Sequence, residues 1–104
     1  MKVKIPEIIK IGIYPRRVIY KPYLKVDEGY DGLINHRLET IEVDPVLPKA
    51  RRDACLIHEV VHLVDKNYDC HLGEDDISRI ANGVAEFLFN NLGIEFDWKD
   101  IKED

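Results

Sequence analysis

The stretch Asp44-Pro45-Val46-Leu47-Pro48 divides the chain by hydrophobic period, and this division limits the fold more than any other feature. Before it, the pattern is that of strands. Residues 7–13 (EIIKIGI) and 16–21 (RRVIYK) are rich in Ile, Val and Tyr and are separated by Tyr14-Pro15. Residues 32–36 (GLINH) and 40–44 (TIEVD) alternate apolar and polar side chains around Arg37-Leu38-Glu39, which is hairpin spacing. Three or four strands in a small twisted sheet are expected. After the division the period becomes helical. Pro45 and Pro48 end the strands, and Pro48 suits a first helical turn. Ala54, Ile57, Val61 and Val64 then recur at helical spacing and predict a helix over 49–66. Tyr68 to Gly73 reads as a connector. A second helix is expected over 74–91, with Ile77, Ile80, Ala81, Val84, Phe87 and Leu88 on one face and Gly93 just past its end. Strands followed by two adjacent helices make this an α+β chain.

A chain of 104 residues supports one domain with a modest core. Its 45% apolar and 34% charged residues are the balance of a globular protein rather than a disordered one. The net charge of −5 is unevenly placed: residues 1–52 carry 11 Lys/Arg and 7 Asp/Glu, residues 53–104 carry 4 and 13. The acidic second half argues against nucleic acid as a partner. There is no long apolar run to span a membrane, and the start (MKVKIPEIIKIGIYPRR) is too polar for a signal peptide. The expected setting is the cytoplasm, with Cys55 and Cys70 as free thiols. Cys55 falls mid-helix and Cys70 past its end, roughly 20 Å apart along the axis, which disfavours a disulfide.

The first helix contains His58-Glu59-Val60-Val61-His62. Residues i and i+4 share a helix face, so the two histidines can reach one ion, and neutral imidazole suits Zn2+. Glu59 is offset by about 100° and is poorly placed as a third ligand to the same ion. It can instead touch a water held by the metal and act as general base. Chance placement of this pattern has a probability on the order of 1% before a helix is required, and the helix is predicted independently. A catalytic zinc usually has three protein ligands. Glu74, which opens the second helix, is the first candidate for the third. His71 in the connector is the alternative, ahead of Asp75, Asp76 and Cys70. A solvated acidic helix N-terminus is the plain reading of Glu74-Asp75-Asp76.

LIHEVVHLVD followed by LGEDDISRIANGVAEFL resembles the active-site helix and glutamate helix of gluzincin metallopeptidases. The short chain, with strands first, is most similar to minigluzincins, soluble counterparts of the catalytic domains of HtpX-like membrane proteases. The resemblance covers about residues 5–92. It implies a minimal zincin fold over 1–93 and a zinc-dependent endopeptidase acting on peptides or unfolded proteins. It also implies His58 and His62 as zinc ligands, Glu59 as general base and Glu74 as the glutamate-helix ligand. Ser78 stands where larger gluzincins carry an acid that orients a histidine. That departure keeps His71 in play as third ligand. Asp65, one turn after His62, reads either as an acid supporting the site or as a surface carboxylate.

A donor for the oxyanion is sought among His36, Tyr68, His71 and Arg79. His36 would qualify if GLINH were an edge strand along the cleft. Tyr14, Tyr20, Tyr23 and Tyr30 read as sheet and rim residues. Residues 94–104 form an acidic tail with Phe96 and Trp98. The expectation is that this tail covers the cleft in its own chain or a neighbour's, as in a zymogen, in a monomer or homodimer. The competing reading of the whole chain is a zinc-binding but catalytically silent interaction module.

Overall fold

The structure, a computed structural model, describes residues 1–103. Its elements run β1 (Lys2–Lys4), β2 (Ile8–Lys10), β3 (Pro15–Tyr20), α1 (Leu24–Glu28), β4 (Gly32–Asn35), β5 (Thr40–Val43), α2 (Lys49–Asn67), α3 (Glu74–Ala85) and β6 (Glu95–Asp97). After Ala85 the chain continues through wider π-type turns over Glu86–Asn91. The architecture is α+β, as the change of period at Asp44–Pro48 predicts, and its sheet is mixed.

The main sheet has four strands in the order β2-β3-β5-β4. β2 is antiparallel to β3, β3 is parallel to β5, and β4 is antiparallel to β5 with Gly32 opposite Val43 and Asn35 opposite Thr40. The expected hairpin therefore forms. Its turn is tightened by Asn35 Oδ1, which accepts the N–H groups of Arg37 and Leu38 at 3.1 and 3.0 Å. The run predicted over 7–13 is shorter, ending at Lys10, because Gly12 takes a left-handed φ of 81°.

Two elements outside the sequence reading close the fold. α1 is a short helix between β3 and β4. Asp44, 1% exposed, accepts the Lys25 N–H at 3.0 Å and the Val46 N–H at 2.9 Å, so one buried carboxylate ties the start of α1 to the end of β5. A second, two-stranded parallel sheet pairs β1 with β6, Lys2 opposite Glu95 and Lys4 opposite Asp97.

The core joins Ile5, Val18, Ile41 and Val43 to Leu56 and Leu63 of α2 and to Trp98 and Ile101 of the C-terminal segment. This corrects the boundary drawn at residue 93. Residues 94–101 are part of the domain, and none of residues 94–103 lines the cleft described below. The reason is apolar area: Trp98 is 6% and Ile101 5% exposed. The buried indole N–H donates to Asp53 Oδ1, while Tyr20 stacks on the ring at 5.8 Å and the Arg52 guanidinium lies 5.3 Å from it. A solvated tail would leave that area in water.

α2 presents two apolar stripes rather than one. Cys55, Leu56, Ile57 and Leu63 are buried together with Glu59; of the predicted stripe, Ile57, Val61 and Val64 line an apolar trough with Ile80, Val84 and Leu88, whereas Ala54 lines the cleft on the other side. Ile77 and Ala81 of α3 are buried, but Ile80, Val84 and Phe87 are exposed.

Candidate metal centre

β4 is an edge strand, and α2 runs alongside it. The approach is close because residue 32 is glycine: a Cβ there would lie 2.5 Å from the Cys55 sulfur and 2.8 Å from the Glu42 carbonyl oxygen. The space between strand and helix is a cleft of about 960 Å³. His58, Glu59 and His62 lie along its helix wall, Gly32 to Ile34 along its strand wall, and Glu74 enters from α3. At one end Arg51 grips Asp31 through two hydrogen bonds of 2.7 and 2.9 Å. At the other end Lys66 Nζ lies 3.3 Å from His36 Nδ1.

The i, i+4 spacing does what helix geometry demands. His58 and His62 project together, with their Nε2 atoms 3.2 Å apart. Glu74 meets both: Oε1 lies 2.7 Å from His58 Nε2, and Oε2 lies 3.0 Å from His62 Nε2. Among the described residues this is the group of metal-ligating side chains whose donor atoms converge, all within 4.8 Å of one another. A tetrahedral ion with bonds of ~2.0–2.1 Å holds its donors roughly 3.3 Å apart, close to the spacing found here. Two imidazole nitrogens and a carboxylate oxygen are also the donor chemistry of catalytic zinc. The residues fit the ion.

Glu59 is 7% exposed, on the neighbouring face of the same turn. Burial, with the Glu74 carboxylate adding to it, pushes its carboxyl up to about 7. A group poised there exchanges protons readily near neutral pH.

The remaining candidates separate clearly. His71 is exposed, has a left-handed φ of 58°, and is not in the converging group. Asp75 and Asp76 are exposed, and Asp76 pairs with Arg79 at 3.1 Å. Neither they nor Cys70 joins the group. Of the oxyanion candidates only His36 lines the cleft, on the stretch that leaves the edge strand. Desolvation, and then the nearby Lys66 and Arg16 charges, lower its pKa. Tyr68 and Arg79 do not line the cleft, and of the tyrosines only Tyr30 does. No hydrogen bond among the described residues joins Ser78 to either histidine. Asp65 is no loose surface carboxylate: its Oδ1 accepts the Leu72 N–H at 2.9 Å. The contribution of Asp31, Arg51, Lys66 and Asn82 to the cleft carried no signal in the sequence, because each depends on how α2 and α3 dock.

Comparison with family models, with curated proteins and with solved structures returns no match. The site is therefore argued from its own geometry. No helix among the described residues is long and apolar enough to cross a membrane.

Proposed function

We propose that this chain is a zinc-dependent metalloendopeptidase with a minimal zincin architecture, acting on peptides or unfolded protein segments. The observation that carries the reading is the convergence of His58, His62 and Glu74 beside a buried Glu59. Zinc bound there would supply Lewis acidity, polarising a substrate carbonyl and lowering the pKa of water. Glu59, buried beside the converging donors, would take the proton of the attacking water and deliver it to the leaving amine.

The edge strand supports a peptide substrate. The Asp44 N–H donates to the Asp31 carbonyl at 3.0 Å. By antiparallel alternation Leu33 and Asn35 also face β5, which leaves the N–H and C=O groups of Gly32 and Ile34 pointing away from the sheet. An extended peptide can pair with those groups while its scissile bond lies over α2. His36, adjacent to this edge, can donate a ring N–H to a developing oxyanion.

The test separates metal binding from turnover. One zinc per chain is expected in the wild type and in Glu59→Gln, and none in His58→Ala. Cleavage of an unfolded protein should fall about 10²–10⁴-fold in Glu59→Gln. Zinc uptake without any cleavage by the wild type would favour the silent binding module. Absence of zinc uptake would remove the metal reading altogether.

A further inference from the structure

Glu74 is the weakest-held of the three converging residues. His58 and His62 sit mid-helix, whereas Glu74 is the first residue of α3 and its side chain is 63% exposed. Little packing constrains it, so its position depends on where the backbone enters α3. That entry is set by the connector, residues 68–73, and the connector is strained. Asp69 and His71 hold left-handed φ angles of 50° and 58°, a conformation that residues with a Cβ disfavour. Such a path persists only where surrounding bonds impose it.

Those bonds converge on one residue. The Tyr68 N–H donates to the Val64 carbonyl at 3.0 Å, ending α2. The Cys70 N–H then reaches back to the Asp65 carbonyl at 3.1 Å. With Asp69 left-handed, this is the 6→1 bond of a Schellman cap, in which glycine is the usual residue at the turn. The Asp65 side chain adds a further bond that an ordinary cap lacks, its Oδ1 accepting the Leu72 N–H at 2.9 Å. Backbone and side chain of Asp65 thus hold the two N–H groups on either side of His71, and Glu74 follows Leu72 by two residues.

We propose that Asp65 is a positioning residue: it fastens the connector to the end of α2 and thereby sets the Glu74 carboxylate opposite His58 and His62. The inference rests on the metal reading above, but its mechanical part does not. The competing anchor is the Leu72 side chain, which enters the apolar trough. If that packing were sufficient, the carboxylate of Asp65 would be dispensable.

The experiment uses the full chain with Zn2+ and Co2+ as probes. Asp65→Ala should weaken zinc binding about 10–100-fold, the range found for residues that orient metal ligands. Asp65→Asn keeps the acceptor oxygen and should restore affinity to within a few-fold. The visible spectrum of the Co2+ form of Asp65→Ala should match that of Glu74→Gln, and the double variant should bind no more weakly than Glu74→Gln alone. Wild-type affinity in Asp65→Ala, or losses that multiply in the double variant, would overturn the proposal. The amide exchange rate of Leu72 is the metal-independent measure. It should rise in Asp65→Ala and not in Asp65→Asn, and an unchanged rate overturns the clamp. If the wild type takes up no zinc, the metal reading falls while the clamp stands or falls on that rate.

Discussion

Cys55 and Glu59 sit one turn apart on α2, and burial acts on both in the same direction. The thiol is pushed up to about 12, first by desolvation and then by the Glu59 and Asp31 carboxylates. Cys70 is exposed, and both thiols are free. An alkylating reagent at pH 8 should therefore label one cysteine in the native protein and the second only on unfolding. Peptide mass mapping would read this out, and rapid native labelling of Cys55 would contradict the burial argument. The sign of the pH dependence follows from the same shift. Between the unfolded thiol pKa of about 8.5 and the folded value of about 12, the unfolded chain holds fewer protons than the folded one. Stability should fall through that window by at most about 1.4 kcal/mol per pH unit from this group, and Cys55→Ala should remove that contribution. His58 and His62 were legible as a pair because i, i+4 is a local relation that any helix imposes. Burial of the neighbouring Glu59 was not, since it depends on how α2 lies against β4.

Between elements, the joint that fixes α2 is Asp53. Its carboxylate accepts the Trp98 indole N–H and pairs with Lys49 Nζ at 2.8 Å, so one side chain binds the first turns of the helix to the C-terminal segment. Asp53→Ala would leave a buried indole N–H without an acceptor, at a cost of about 1–3 kcal/mol. At about 4–8 °C per kcal/mol for a domain of this size, thermal unfolding should show a clear drop in Tm. An unchanged Tm would mean that the indole finds another acceptor. Helix extents were legible. The pattern predicts α2 over 49–66, and it spans Lys49–Asn67; it predicts the second helix over 74–91, whereas α3 runs Glu74–Ala85 and π-type turns carry the chain on through Glu86–Asn91. The buried face of α2 was harder to read. A helix between a sheet and a second helix carries apolar residues on two sides, and periodicity alone does not say which stripe is covered more deeply.

For the whole molecule, the decisive contact joins the two ends of the chain. The Met1 ammonium donates to the Gly93 carbonyl at 3.0 Å, and β1 pairs with β6 in parallel. Beyond them, the Tyr20 N–H donates to the Lys102 carbonyl at 2.9 Å. Truncation after Leu92 would remove β6, Trp98 and Ile101 together. Losing a buried tryptophan alone typically costs about 3–5 kcal/mol, a large part of the stability of a small domain. The shortened chain should lose cooperative thermal unfolding rather than gain activity. A truncated protein that melts like the full chain, and cleaves faster, would restore the reading of residues 94–104 as a removable cover.

The sequence by itself determined the α+β class, the hairpin of β4 and β5, both long helices and the pairing of His58 with His62. Each follows from relations within a few residues: hydrophobic period, proline and glycine breaks, and the pitch of a helix. Tertiary structure decided the rest. It brought Glu74 rather than His71 to the histidines, buried Glu59 and Cys55, set β4 along the cleft, and drew Phe96 and Trp98 into the body of the protein. These outcomes depend on loop closure and on competition for apolar surface between residues far apart in the chain. The strained Asp69–His71 path, held by Asp65, shows the difference. Asp69 and His71 tolerate left-handed φ better than most residues with a Cβ, but the bonds around them, not their own preference, make it the route by which the third side chain arrives.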